Sequence, residues 1–170
     1  MKKIILGLAV SLDGYIEGPN GEIDWCFADQ DYGMSSFLKG IDGILMGRKS
    51  WELAAAMGGN PWKGVTTYVF SHTLKSVTDP NVKIISGNLK ESVEMMRLEK
   101  GKDLWLFGGA ELIAAFANEG LVDEYWLSVH PVLLGDGKRL FGNVLPRVTL
   151  KLVESKSYDT GLVSLRYINA

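Results

Sequence analysis

Two stretches of this sequence join an apolar, strand-like run to a helix start through glycine. In residues 44–51 the apolar run ends at Gly47, and Arg48, Lys49 and Ser50 follow it. A cation at a helix N-terminus opposes the helix dipole and costs about 0.3–1 kcal/mol. A bound phosphate would remove that conflict, because it accepts hydrogen bonds from the free helix amides and from the cationic side chains. The alternative interpretation is a solvated Arg and Lys after a tight turn.

In the second stretch, residues 104–112, the apolar run ends at Gly108 and Gly109, and Ala110, Glu111 and Leu112 follow. A Gly-Gly pair alone indicates only the turn that a strand–helix unit needs. Two such junctions together suit a dinucleotide, which carries a pyrophosphate and, in NADP, an additional 2′-phosphate. The sequence has no G-x-G-x-x-G after a strand, which argues against a standard Rossmann domain.

Alternating β-rich and amphipathic helical runs must position these junctions, and they predict one α/β domain over residues 1–170. The predicted strands are residues 3–10, 42–47, 65–71, 82–86, 103–107, 121–134, 149–157 and 162–169. The predicted helices are residues 32–40, 48–57, 89–100 and 110–119. Helical crossovers require parallel strands, whereas residues 158–161 are typical of a hairpin turn. We therefore expect a mostly parallel sheet of about eight strands, with helices on both faces and an antiparallel C-terminal hairpin.

Composition excludes several classes of function. The formal net charge is -2, so we expect neither nucleic acid nor an anionic membrane as a partner. Cys26 is the only cysteine, which excludes an internal disulfide and a multi-cysteine metal site and is consistent with the cytoplasm. We expect no bound metal. The first ten residues are better explained as a strand than as a secretory signal, because the apolar run is short and lacks a cleavage site.

Taken in order, three blocks resemble the cofactor-binding blocks of the dihydrofolate reductase family: MGRKSWE at 46–52, YVFSHT at 68–73 and FGGA at 107–110. Two others, SLDGYI at 11–16 and VHPVLLGDG at 129–137, resemble the riboflavin-pathway reductase domain and its stand-alone relatives. The resemblance covers essentially the whole chain. It implies a dihydrofolate reductase-like three-layer fold and an NADPH-dependent reductase. The implied substrate is a small heterocyclic or sugar-linked molecule, as in 5-amino-6-(5-phosphoribosylamino)uracil reductase.

By that resemblance, the first junction holds cofactor phosphates, residues 71–73 line the 2′-phosphate, and the second junction cradles the pyrophosphate. The end of the first strand flanks the nicotinamide, and residues 14–25 close over it. The implied cofactor-binding residues are Ala9, Val10, Ser11, Gly47, Arg48, Lys49, Ser50, Ser71, His72, Thr73, Gly108, Gly109, Ala110, Glu111 and Leu112. For His72 the alternative is a turn histidine in solvent, and we expect His130 to be structural.

The resemblance also places a carboxylic acid between a tryptophan and the helix that precedes the first junction. Asp31 lies at the matching distance and is the predicted proton donor, with Asp29 and Asp24 as alternatives. Capping of the following helix is the competing interpretation of Asp31. Trp25 and Trp62, in loops beside the expected cleft, are predicted to stack on a flat substrate.

Two departures bear on the substrate. Where folate enzymes have an arginine for the glutamate tail, this chain has Pro61, Trp62 and Lys63, and lysine lacks the bidentate fork. The H-x-E and P-C-x-x-C pattern of the zinc deaminase that accompanies bifunctional riboflavin enzymes is absent. Three other functions stay open: a non-catalytic NADPH-binding or scaffold protein, a flavin-binding reductase and a true dihydrofolate reductase. The resemblance also implies a homodimer, and residues 132–134 are a candidate contact surface.

Overall fold

The computed structural model describes residues 1–58, 62 and 64–170. Residues 59–61 of the predicted turn at 58–61, and Lys63, lie outside the described residues. The helices are α1 (Met34–Lys39), α2 (Arg48–Ala56), α3 (Leu89–Leu98) and α4 (Ala110–Asn118). The strands are β1 (Ile4–Ser11), β2 (Tyr15–Glu17), β3 (Ile41–Gly47), β4 (Thr66–Phe70), β5 (Val82–Ile85), β6 (Asp103–Gly108), β7 (Glu124–His130), β8 (Lys138–Arg139), β9 (Leu150–Ser157) and β10 (Val163–Asn169).

The main sheet has eight strands in the order β5-β4-β3-β6-β1-β7-β10-β9. The pairs from β5 to β7 are parallel, and β10 pairs antiparallel with both β7 and β9. This arrangement confirms the predicted fold class, including the antiparallel C-terminal hairpin. Because β3, β4 and β6 are neighbours and parallel, their carboxyl ends lie side by side, which brings the two glycine junctions together.

Helices cover both faces of the sheet. Successive residues of each strand point to opposite sides, so a strand that is apolar throughout presents an apolar surface to the helices on each face. On one face, Val93 and Met96 of α3 and Ile113 and Phe116 of α4 pack in one buried apolar cluster with strand residues such as Leu6. On the other face, a cluster containing Phe37 of α1 and Trp51 of α2 packs on Ile5, Ile44 and Trp105. Most strand residues of both clusters belong to the central strands β1, β3 and β6. The carboxyl ends of these three strands are therefore supported by a buried core on each face of the sheet.

One predicted strand and one predicted helix have boundaries that differ clearly from the structure. The strand predicted at 121–134 is only Glu124–His130: Asp123 instead accepts a hydrogen bond from the Ile4 amide at 2.7 Å, and Pro131, which has no amide to donate, follows the strand. The helix predicted from residue 32 begins at Met34, because Tyr32 and Gly33 adopt left-handed conformations with φ of 49° and 89°. That late start gives residues 26–34 room to line a cavity.

The small sheet formed by β2 and β8 was not predicted. Tyr15 pairs with Arg139, and Glu17 pairs with Lys138, in antiparallel register. Leu133, within the predicted dimer surface, is 70% exposed. In the part of the chain that the structure describes, no helix is both long and apolar enough to cross a membrane.

Candidate functional site

A cavity of about 450 Å³ lies at the carboxyl ends of β3, β4 and β6. Eleven of the predicted cofactor-binding residues line it: Gly47, Arg48, Lys49, Ser50, Ser71, His72, Thr73, Gly109, Ala110, Glu111 and Leu112. They come from three separate parts of the sequence, which only the parallel pairing of the three strands unites. We name this space the first cavity. Gly108 lies just behind its lining as a buried residue at the end of β6.

Two helix N-termini face the first cavity. The cap residues are Gly47 for α2 and Gly109 for α4, and neither supplies a side-chain hydrogen bond to its helix. At α3, by contrast, the Asn88 side chain accepts from the Glu91 amide at 3.1 Å. The first-turn amides of a helix need acceptors from outside the helix. The two helices at the cavity therefore present donors suited to an anion, with the positive end of each dipole behind them.

Basic side chains surround these helix ends. Arg48 donates to both carboxylate oxygens of Glu52, at 2.8 and 2.9 Å, in a partly exposed pair one helical turn apart. Lys49 and His72 also line the cavity. The Ser71 hydroxyl oxygen accepts from the backbone amides of Thr73 and Leu74, which fixes the turn that carries His72. The cavity can thus hold a ligand with more than one phosphate.

Lys138 also lines the first cavity, and sequence reasoning missed it. It belongs to β8, and its ammonium group lies 2.7 Å from the Glu17 carboxylate of β2. Gly137 permits the close approach of these segments, since a Cβ there would lie 2.2 Å from the Glu17 carbonyl oxygen. A two-residue strand gives no periodic signal in a sequence; the only available clue was a lysine directly after the glycine-rich turn at 135–137.

The turn after β1 is bound to the loop that leads into β8. The Asp13 carboxylate accepts from the Ser11 hydroxyl at 2.6 Å and from the Leu134 and Gly135 amides at 3.2 and 2.8 Å. The hydrogen bond from Ser11 is the main cause that lowers the pKa of Asp13. Ser11 is buried, and its hydroxyl also accepts from the Tyr15 amide. The hydroxyl of Ser11 is therefore committed to holding this turn.

A second cavity, of about 380 Å³, lies beside the carboxyl halves of β1 and β7, against α1 and the segment before it. Of the predicted residues at the end of β1, Ala9 lines this second cavity, whereas the Val10 side chain packs in the core on the opposite face. The lining of the second cavity also contains three aromatic side chains that sequence reasoning missed: Phe27, Tyr32 and Trp126. Phe27 and Tyr32 come from the segment before α1 and Trp126 from β7, about a hundred residues later, so no local pattern could have grouped all three.

Trp25 and Trp62 lie apart from the lining of both cavities. The Trp25 ring packs edge-on against His130, with ring centroids 5.3 Å apart. The Trp62 ring packs against Trp105 and Phe107, at 5.1 and 5.3 Å. The Trp25 ring supports a wall of the second cavity through His130, and direct contact of either ring with a substrate stays a prediction.

Asp31 lines the second cavity, as expected for the predicted proton donor. Its carboxylate, however, accepts from the Ser35 hydroxyl and amide, at 2.5 and 2.9 Å, and from the Gly33 amide at 3.2 Å. These bonds, the Ser35 hydroxyl foremost, lower the pKa of Asp31 below its ordinary value. The alternative donor Asp29 accepts from the Tyr32 hydroxyl at 2.7 Å. Asp31 therefore caps α1 and is ionised at neutral pH, a state that suits an acceptor better than a proton donor.

His130 anchors the segment that covers the second cavity. Its Nδ1 donates to the Ser128 carbonyl, 2.9 Å away, and its Nε2 accepts from the Phe27 amide at 3.1 Å. This assignment requires the neutral imidazole, and burial lowers the pKa of His130. The histidine has the structural role predicted for it, with a specific loop as its partner.

Stability is expected to fall on acidification because of His130. Below about pH 6.5 the unfolded chain binds a proton at this histidine, whereas the folded protein resists protonation until the pH reaches its lowered pKa. Urea unfolding between about pH 8 and 5 should therefore show stability lost below about 6.5, and His130→Gln should flatten that slope. Asp13 and Asp31, with pKa values lowered from 3.8, act at lower pH. An unchanged slope in the variant would contradict the assignment.

Comparison with known proteins gives one family and several relatives. The family model of the RibD C-terminal domain matches residues 2–164. Two uncharacterised proteins of Bacillus subtilis are similar over nearly their whole length. YyaP is 46% identical over 98% of this chain and 94% of its own, and YwjB is 34% identical over 99% of both chains.

Solved structures share the fold. A Shewanella protein whose name proposes a role in riboflavin biosynthesis superposes with a TM-score of 0.87 at 26% identity, over 100% of this chain and 99% of its own. A Thermotoga maritima diaminohydroxyphosphoribosylaminopyrimidine deaminase/5-amino-6-(5-phosphoribosylamino)uracil reductase superposes with a TM-score of 0.78 at 14% identity. The match covers 99% of this chain and 57% of the Thermotoga protein, and at that identity it supports the fold alone.

Proposed function

This chain belongs to the RibD C-terminal domain family, a reductase-like family of the riboflavin pathway, and on that premise we propose that it is an NADPH-dependent reductase. Its substrate would be a small heterocyclic or sugar-linked molecule. The observation that carries the proposal is the first cavity, where two helix N-termini without side-chain caps meet Arg48, Lys49, His72 and Lys138. A dinucleotide with a pyrophosphate and a 2′-phosphate matches that set of donors.

Each part of the first cavity has a role in holding the cofactor. The α2 and α4 amides would donate to phosphate oxygens, and Gly47 and Gly109 would leave space for the approach. Arg48, which pairs with Glu52, would pair instead with the 2′-phosphate, and Ser71 and Thr73 would supply hydroxyl groups on the same side. NADPH, when bound, supplies a hydride from its nicotinamide.

The second cavity holds the substrate against the carboxyl half of β1, which separates β6 of the first cavity from β7 of the second. Phe27, Tyr32 and Trp126 provide aromatic faces that orient a flat ring. Reduction of C=N or C=O consumes one hydride and one proton. Because the Asp31 carboxylate is ionised and engaged in capping, we assign the proton to solvent water and give Asp31 a role in orienting the substrate.

The test is NADPH binding followed by turnover. We expect saturable binding of NADPH that is clearly tighter than that of NADH. Loss of the reduced nicotinamide absorbance is then followed with pterins, ribosylaminopyrimidines and simple carbonyl compounds. Equal affinity for the two cofactors would contradict the NADP assignment, and failure to bind either would overturn the proposal.

A second candidate is a non-catalytic NADPH-binding protein of the same fold. The observation that favours it is the ionised, hydrogen-bonded state of Asp31, which leaves no protonated carboxylic acid at the position implied by the resemblance. NADPH binding without turnover of any compound in the panel would support this candidate over the reductase.

A further inference from the structure

Charge is distributed unequally between the two cavities, and the difference begins in the sequence. Residues 4–38 contain no lysine, arginine or histidine. The same residues contain six carboxylates: Asp13, Glu17, Glu22, Asp24, Asp29 and Asp31. This stretch forms β1, β2, the start of α1 and the segment that covers the second cavity. Within residues 26–34, the part of this stretch that covers the second cavity, the only charged side chains are two carboxylates, Asp29 and Asp31.

The lining of the second cavity carries the same polarity. Among its described lining residues none is lysine or arginine, and Asp31 is the one carboxylate. His130 is neutral, with both ring nitrogens engaged by Ser128 and Phe27. The Cys26 thiol is neutral as well, because burial raises its pKa to about 11. Compared with the first cavity, which gathers Arg48, Lys49, His72 and Lys138, this space offers no described cation to an anionic ligand.

The walls of the second cavity favour a flat ligand. Trp126 is fixed from several sides: its Nε1 donates to the Ser164 hydroxyl at 2.7 Å, and the Arg166 guanidinium lies 4.9 Å from its ring. Tyr32 is fixed through its hydroxyl, which donates a hydrogen bond to the Asp29 carboxylate and accepts one from the Thr160 hydroxyl. Aromatic rings held in this way bind planar groups by stacking without losing side-chain freedom.

We propose that the second cavity binds a planar substrate that carries neither a phosphate nor a carboxylate group. This inference rests on the proposed reductase function and narrows its substrate class. A phosphate would meet Asp31 with no described lysine or arginine in the lining to compensate, and an unpaired anion in a partly desolvated cavity is strongly disfavoured. The substrate class thus departs from the phosphoribosyl compound in the name of the Thermotoga protein, whose identity to this chain is 14%.

The experiment compares two ligands that differ only in the phosphate: 5-amino-6-(5-phosphoribosylamino)uracil and the same compound without its phosphate. Calorimetric titrations are made with and without saturating NADP⁺, which occupies the first cavity. We expect the dephosphorylated compound to bind at least tenfold more tightly in both series. The titrations without NADP⁺ need no cofactor. A failure of NADP⁺ to bind would therefore count against the reductase proposal, and the comparison of the two ligands would still be valid.

Met34→Lys makes the test specific to the cavity, because Met34 lines it and is 37% exposed. The new ammonium group should reduce or reverse the preference against phosphate, whereas Met34→Gln, of similar length without the charge, should preserve it. Equal or tighter binding of the phosphorylated compound by the parent chain would overturn the inference. The same holds if the parent chain prefers the phosphorylated compound and Lys63→Met removes that preference. A failure of both compounds to bind would overturn it as well.

Discussion

Replacing Arg48 with alanine is expected to raise the Kd for NADPH roughly ten- to a hundredfold and to change the Kd for NADH much less. A hydrogen bond between charged groups contributes about 1.5–3 kcal/mol, which corresponds to that range. Arg48 is the first residue of α2 and lines the cavity beside Ser71 and Thr73, so its guanidinium can pair with the 2′-phosphate that only NADPH carries. Fluorescence titration with the two cofactors measures the difference directly.

Two further variants control for this result. Lys151→Ala removes an exposed cation on β9, outside both cavities, and should leave both affinities unchanged. Glu52→Gln should tighten NADPH binding several-fold, because it frees Arg48 from its ion pair. An equal loss of NADPH and NADH affinity in Arg48→Ala would remove the 2′-phosphate assignment.

Trp105→Ala is expected to destabilise the protein by about 3–5 kcal/mol, the cost of emptying a large aromatic site in a core. Trp105 is 3% exposed in the central strand β6, and its ring contacts Phe37, Trp62 and Phe107. Its Nε1 also donates to the Gly7 carbonyl at 2.7 Å, a buried hydrogen bond that the substitution removes. At about 2–4 °C per kcal/mol for a domain of this size, the melting temperature should fall by roughly 6–20 °C.

The matched comparison is Trp105→Phe, which keeps an aromatic ring and loses the hydrogen bond to Gly7, with an expected loss of about 1–3 kcal/mol. Leu145→Ala, at a residue 87% exposed, should be nearly neutral. Similar melting temperatures for Trp105→Ala and the parent protein would show that the stability of the buried cluster around Phe37 and Trp51 does not depend on the Trp105 ring.

The first cavity could be predicted from the sequence because each of its parts is local. A strand end, a glycine and a helix start are contiguous at both junctions. The parallel pairing of β3 with β4 and β6 then places the two junctions at the same edge of the sheet. The eight-stranded sheet could be predicted for the same reason, since alternating strand and helix periods determine which strands are joined by crossovers.

The second cavity could not be predicted, because its walls depend on tertiary contacts. Phe27 is held by a hydrogen bond to His130, 103 residues away, and Tyr32 is held by one to Thr160, 128 residues away. The left-handed conformation of Tyr32, which delays α1, has no signature in residue type. Asp31 shows the limit most clearly. Its sequence position fits both an acid and a cap, and the hydrogen bonds from Ser35 that make it a cap can be seen only in the structure.

The hydrogen bonds of Asp13 couple the lengths of two loops, the turn after β1 and the loop that leads into β8. Asp13 lies two residues beyond β1 and Gly135 three residues before β8, and the bond between them spans 122 residues of sequence. Adding or removing a residue in either loop would displace both Lys138 and the partner turn. Insertions and deletions should therefore be inherited in compensating pairs at residues 12–14 and 132–137.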